Sequence, residues 1–224
     1  PGPRRGASGA RPGPVSLTTR DPIEAGSAES EAPAGVRVGR ASAWFILIAG
    51  IIGLLASSDL LVEKIEMLKN PKYVPSCSIN PVLACGSVIN TPQASVFGPP
   101  NPLYGVIGFT IAIVTGVLAV GRVRLPRWYW VGFMTGLGLA VVFVHWLKYE
   151  TLYEIGALCP YCMVVWSMTI PLFVVVTSIA LRPLGSNAVA RTLYNWRWPL
   201  VALWFLSVTL EILVRFWDYW RTLI

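Results

Sequence analysis

Five apolar blocks govern what this chain can fold into. They cover residues 42–61, 103–120, 128–147, 159–181 and 198–216, each 18 to 23 residues long. A helix needs about 20 apolar residues to cross a hydrocarbon layer of about 30 Å. Inside lipid only helices and closed barrels satisfy their backbone groups, and none of the blocks shows the alternation of a barrel strand. The sequence therefore predicts an all-α membrane protein. Composition agrees, with 54% hydrophobic and 13% charged residues against about 25% charged in a soluble domain. The net charge of +7 would allow nucleic-acid binding, but no basic stripe carries interleaved aromatics, so nucleic acid is not an expected partner. The first block is too long for a signal-peptide core and lacks a small-residue cleavage site behind it, so it is expected to stay in the membrane.

Ahead of it, residues 1–40 read as a disordered cytoplasmic tail. Up to residue 36, Gly, Pro, Ala, Ser and charges dominate, and only Val15, Leu17, Ile23 and Val36 are sizeable aliphatics. That is too little apolar surface to offset the chain entropy. Charge sets the orientation. The tail and the connections after the second and fourth blocks hold twelve arginines, whereas the opposite side holds six basic residues. Counted as basic residues, this places the N-terminus in the cytoplasm and the C-terminus outside. The organisation expected is a four-helix core over 41–181 with an outer loop at 62–102. Residues 182–224 then hold a cytoplasmic connection, a fifth span and a short outer C-terminus.

This topology gives the four cysteines their meaning, because all fall on the outer side. Cys77 and Cys85 lie in the long outer loop, and Cys159 and Cys162 form a C-x-x-C where the fourth block begins. An even number of cysteines in an oxidising compartment favours disulfide chemistry. Pro160 suits a first helical position. Cys162 would then sit in the first turn, where unpaired N–H groups and the helix dipole stabilise the reactive thiolate. Zinc remains an alternative, although only one pair has the usual ligand spacing. Inert staples are another, although a C-x-x-C bridge closes too small a loop to stabilise much. Redox exchange between the two pairs is the favoured reading. Oxidised thiols must deposit two electrons, and a C-x-x-C near the lipid interface faces the lipid-soluble quinones.

The order of these signals resembles the vitamin K epoxide reductase (VKOR) family over about residues 42–181. The residues that carry the resemblance are Cys77-x7-Cys85, the stretch Thr91-Pro-Gln-Ala-Ser-Val-Phe-Gly98, Asn101-Pro-Leu-Tyr-Gly105 and Cys159-Pro-Tyr-Cys162. The resemblance is greatest to the bacterial branch, which oxidises thiols of partner proteins and passes the electrons to a membrane quinone. DsbB-type oxidases differ in carrying their C-x-x-C in the first outer loop.

The resemblance implies a four-transmembrane-helix bundle around a quinone pocket, with a fifth transmembrane helix beside it. It implies that Cys77 exchanges with a thioredoxin-fold, DsbA-like partner and that Cys85 relays electrons to Cys159 through a transient disulfide. Cys162 is then the thiol next to the quinone, of menaquinone or ubiquinone type. Asn101 falls where the family supplies a hydrogen bond to a quinone carbonyl, and a helix N-cap is its plain reading. Thr91 stands where many members have serine, and Trp166 where the animal enzymes have tyrosine, so both are expected at the pocket. No metal is expected. Because the chain stops eight residues after Phe216, its thioredoxin-fold partner is expected to be a separate, freely diffusing protein on the outer side, and the chain itself to lie in a bacterial cytoplasmic membrane. Reduction of vitamin K epoxide, or a non-catalytic scaffold with static disulfides, are the rival readings.

Other residues carry bland expectations. His145, the one histidine, reads as an interface residue, and Asp59 and Glu63 as solvated boundary residues. Gly132, Gly136 and Gly138 read as sites of close helix packing. The run Arg215-Phe-Trp-Asp-Tyr-Trp-Arg221 reads as an interfacial aromatic belt.

Overall fold

The structure, a computed structural model, describes residue 2, residues 35–182 and residues 188–222. Most of the stretch read as a disordered tail lies outside the described residues. Contacts separate Pro1–Pro33 from Ala34–Ile224, and all that follows concerns the second unit.

Its helices are α1 (Arg40–Lys69), α2 (Cys85–Ile89), α3 (Asn101–Val120), α4 (Arg127–Tyr149), α5 (Pro160–Ala180), α6 (Ala188–Arg215) and α7 (Trp217–Trp220). A 3-10 turn covers Pro92–Ser95, and α4 passes directly into a π turn over Glu150–Ile155. Five of the helices, α1, α3, α4, α5 and α6, are long and apolar enough to cross a membrane. They match the five blocks to within two residues, except that α1 continues about two turns past residue 61 and α6 begins at Ala188, ten residues before its block. Past residue 61 α1 stays amphipathic, with Glu63 turned inward and an exposed Glu66–Lys69 pair outward.

Small residues set the packing. The buried face of α1 runs Ala43, Ile46, Ala49, Gly50, Gly53, Ala56, Ser57, Leu60 and Glu63, a stripe at helical spacing. It lets α3 approach closely. A Cβ on Gly53 would lie 2.2 Å from the Phe109 ring, and one on Gly116 would lie 2.7 Å from the Leu47 backbone. The expectation for the α4 glycines is corrected. A Cβ at Gly132 or Gly136 would meet nothing within 4 Å, and one at Gly138 only an ordinary contact with Phe173. Trp130, Leu172, Val176 and Ile179 complete the core beside Ile46 and Phe109. Large aliphatics such as Leu55, Leu139 and Leu203 point outward, 60%, 69% and 61% exposed. Such apolar surface suits lipid and not water.

The two ends of the bundle differ. At one, Val36 N–H donates to Leu125 O at 3.0 Å and Arg182 reaches Arg37 O at 3.1 Å. At the other lies the cysteine loop. Near that second end α6 is fastened to the bundle by polar groups. Trp204 Nε1–H donates to His145 Nε2 at 2.8 Å, and His145 Nδ1 meets Val141 O at 2.8 Å. Lys148 pairs with Glu211, and Arg215 Nε donates to Leu152 O at 2.9 Å. His145 is thus an interhelical link, with both ring nitrogens occupied. Of the aromatic run, Trp217 is exposed, while Phe216 is buried against Leu152 and Trp166.

Candidate functional site

The cysteine loop is folded by its own turn residues. Asn80 Oδ1 accepts from the N–H groups of Val82 and Leu83 at 3.0 and 2.7 Å, the way a short amide side chain closes a turn. This exposes the next residues for pairing. Ala84 N–H donates to Leu158 O at 2.9 Å, and Leu158 N–H donates to Val82 O at 2.7 Å. The partner segment is delivered by Gly156, whose φ of 70° reverses the chain after the π turn, a conformation that favours glycine. Because Leu83 and Leu158 form a parallel bridge, Cys85 and Cys159 follow it side by side. Their sulfurs lie 3.2 Å apart.

Cys77 and Cys85 are joined by a disulfide, and Cys159 and Cys162 are thiols. Cys85 and Cys159 are fully buried, and Cys77 is nearly so. Glu63 holds the segment ahead of Cys77. Its Oε1 accepts the Ser76 N–H at 3.2 Å and the Ser76 hydroxyl as well. It is buried, not solvated as expected.

The helix start acts on a different sulfur from the one expected. Pro160 does occupy the first turn of α5, but Cys159 is the N-cap, and its Sγ accepts the Cys162 N–H at 3.4 Å. The Cys159 thiol is held below the usual range. The Cys162 side-chain hydrogen bond is the largest cause, burial works against it, and the backbone N–H groups of Cys162 and Tyr161 add to it. A side chain inside the first turn points away from those N–H groups, whereas the N-cap side chain folds back over them.

Between α1, α3, α4 and α5 lies a cavity of about 690 Å³, and Cys162 is the cysteine that lines it. The volume is that of a small-molecule site. Leu60, Phe109, Leu137 and Leu172 contribute its apolar wall, and Thr91, Asn101 and Trp166 all line it too. Thr91 Oγ1 donates to Val88 O at 2.9 Å. Asn101 is not an N-cap. It is the first residue of α3, behind Pro100, and its amide reaches back into the preceding turn. Nδ2 donates to Gln93 O at 2.6 Å, and Oδ1 accepts from Val96 N–H at 3.3 Å. Trp166 is buried against Leu152, Val208 and Phe216, so α6 backs this wall.

Several lining residues carried no sequence signal. Lys64 lines the cavity and donates to Ile89 O at 2.8 Å. Gln93 and Glu150 line it as a pair, with Nε2–H to Oε2 at 3.3 Å. Ser57 lines it with an Oγ that is buried and has no partner. Lys64 and Glu150 lie just past the ends of apolar blocks, where a charged side chain ordinarily marks solvent.

No curated protein matches the chain. The model of the Vitamin K epoxide reductase family matches residues 44–177, a stretch that holds all four cysteines, α3 and α4 whole, all but a few end residues of α1 and α5, and every lining residue named above. The chain therefore belongs to the vitamin K epoxide reductase family, a family of oxidoreductases, and it does so as a multi-pass membrane protein.

Proposed function

We propose that the chain is a membrane thiol oxidase that takes electrons from a reduced thioredoxin-fold, DsbA-like protein and passes them to a membrane quinone. The observation that carries this reading is the 3.2 Å approach of Cys85 to Cys159, with Cys162 beyond them on the cavity wall. In the reaction, the donor's dithiol reduces the Cys77–Cys85 bridge and leaves as a disulfide. The Cys85 thiolate attacks Cys159 of a Cys159–Cys162 bridge, which forms a Cys85–Cys159 disulfide and releases Cys162 as a thiolate. Cys77 then attacks Cys85, which restores the loop bridge and releases Cys159. Each step exchanges one S–S bond for another. A bridged loop pair beside a reduced inner pair is the arrangement that follows this transfer.

The cavity fits a quinone. Its wall is apolar around the Cys162 sulfur, and the orphaned Ser57 hydroxyl offers a donor without a protein acceptor. A menaquinone or ubiquinone type of ring would accept two electrons from the inner pair there, held among Thr91, Asn101, Trp166 and Ser57. The arginine-rich end of the bundle favours the cytoplasmic face of a bacterial membrane, which puts the cysteines outside.

The test uses the purified protein in detergent, a reduced thioredoxin-fold donor and a soluble ubiquinone analogue, with quinone absorbance as the signal. Loss of absorbance that requires both the donor and Cys162, and vanishes in Cys162→Ala, supports the oxidase. Absence of turnover with any dithiol or quinone overturns it.

A further inference from the structure

Glu150 is the acidic residue on the wall of an otherwise largely apolar cavity. Its position comes from a local change of helix type. At Glu150 the α4 helix widens into the π turn Glu150–Ile155, and π segments within helices occur frequently at functional sites. Glu150 is therefore turned to the same cavity that Cys162 lines.

Hydrogen bonds tie it to the rest of that wall. Its Oε2 accepts from Gln93 Nε2, and the Gln93 carbonyl accepts from Asn101 Nδ2. Lys64 of α1 lines the same cavity and donates to Ile89 O, and Tyr104 of α3 lines it too, with its ring edge-on to Phe97. Cys162 comes from α5, and α2 and the Pro92–Ser95 turn carry no charged residue. Along its own stretch, Lys148 and Tyr153 are both engaged by Glu211 of α6, Tyr149 stacks near Tyr153, and Glu154 is exposed.

We propose that Glu150 is the proton relay of the quinone site, an inference that rests on the thiol-oxidase reading above. Closing the Cys159–Cys162 bridge releases two electrons. When one sulfur reacts as thiolate and the other as thiol, the pair also releases one proton. Reduction of a quinone to a quinol consumes two electrons and two protons, so one proton is missing. Glu150 passes it from water at the outer end of the bundle to the quinone through Oε1, since Oε2 is engaged by Gln93. One S–S bond forms, one S–H bond and one O–H bond of water break, and two quinol O–H bonds form. The charge of the thiolate passes to the solvent, and Glu150 ends as it began.

The test compares wild type, Glu150→Gln and Glu150→Ala, all in detergent with menadione and a short-tail ubiquinone analogue as probes. Quinone affinity is read from quenching of tryptophan fluorescence. Oxidation of the prereduced inner pair is followed in a single turnover. A proton relay predicts unchanged affinity in Glu150→Gln with oxidation slowed about 100-fold, the range of general acid catalysis. It also predicts that formate restores part of the rate in Glu150→Ala. If Glu150→Gln reacts at the wild-type rate, the relay is overturned while the quinone reading stands. A loss of affinity that accounts for the whole loss of rate overturns it as well, making Glu150 a binding group. If the wild type neither binds nor is oxidised by either probe, the quinone reading falls and the relay with it.

Discussion

Cys85 and Cys159 stand sulfur to sulfur because the residues just before them are hydrogen-bonded to one another. Ala84 donates to Leu158 O, Leu158 donates to Val82 O, and the sulfurs that follow are 3.2 Å apart. A contact held by backbone bonds is insensitive to which side chains surround it. With Cys77 and Cys162 both changed to Ala, mild oxidation should join Cys85 to Cys159 nearly quantitatively, as read by peptide mass spectrometry. With Cys77 and Cys159 changed instead, Cys85 should join Cys162 far more slowly. Equal yields from the two proteins would mean that the loop swings freely and the observed register does not direct the transfer.

The lowered Cys159 thiol makes a prediction with a definite sign. Its largest cause is the hydrogen bond from the Cys162 side chain, so a variant that keeps a donor there should keep the effect. Ultraviolet thiolate absorbance of the protein with the loop bridge intact should appear below the ordinary thiol range. Cys162→Ser should hold the Cys159 midpoint low, and Cys162→Ala should let it rise. As pH falls through that midpoint the thiolate is protonated, and exchange between Cys159 and the loop bridge should slow there. A midpoint in Cys162→Ala at or below that of Cys162→Ser contradicts this assignment.

The five spans were legible because lipid leaves a chain few options, and about 20 apolar residues in a row have one economical fold. The cysteine pairs were legible because C-x-x-C before a Pro-started helix is a local pattern. What could not be read is what joins segments distant in sequence. Nothing in Leu83 or Leu158 announces that they pair. Which cysteine receives the helix N–H groups turns on where each side chain points, and the reading chose Cys162, inside the first turn, where the N-cap is Cys159. The glycines of α4 carried the same small-residue signal as Gly53 and Gly116. Close packing depends on the facing helix, which at Gly136 is replaced by the cavity. His145 gave no hint of Trp204, because a membrane helix satisfies polar side chains across the bundle and not along the sequence.

Glu63 tests whether the loop is held before the chemistry begins. Its Oε1 takes two hydrogen bonds from Ser76, next to Cys77, and nearby it raises the Tyr73 phenol above its ordinary value, chiefly through a side-chain hydrogen bond. Glu63→Ala removes the acceptor of both Ser76 bonds, and because Ser76 is exposed to water the loss is that of an ordinary hydrogen bond, about 1 kcal/mol. The variant should unfold at lower temperature and its loop bridge should be reduced faster by dithiothreitol. Glu63→Gln retains an acceptor oxygen and should lie between it and the wild type. In Glu63→Ala, loss of that hydrogen bond and of the charge should bring the Tyr73 phenol down toward its ordinary value, with Glu63→Gln in between, read by phenolate absorbance. A Tyr73 titration unchanged in both variants would contradict the contact.

The surface around Cys77 bears on how a protein donor reaches a sulfur that is itself only 6% exposed. Val74 and Ile79 flank it in the chain, and at 72% and 71% they are among the most exposed large apolar residues. Both lie in the loop past the end of α1, away from the apolar spans, so a lipid role does not account for them. A docking protein would cover them and bring its thiolate to Cys77 in the same movement. Burying an aliphatic side chain of this size contributes about 1.5–3 kcal/mol, so Val74→Glu or Ile79→Glu should raise KM for a thioredoxin-fold donor about tenfold or more. Oxidation of dithiothreitol, which needs no docking surface, should proceed at the wild-type rate in both. Equal losses with the two donors would show that the substitutions disturb the loop itself, and Val74 and Ile79 would then have no part in recognising the donor.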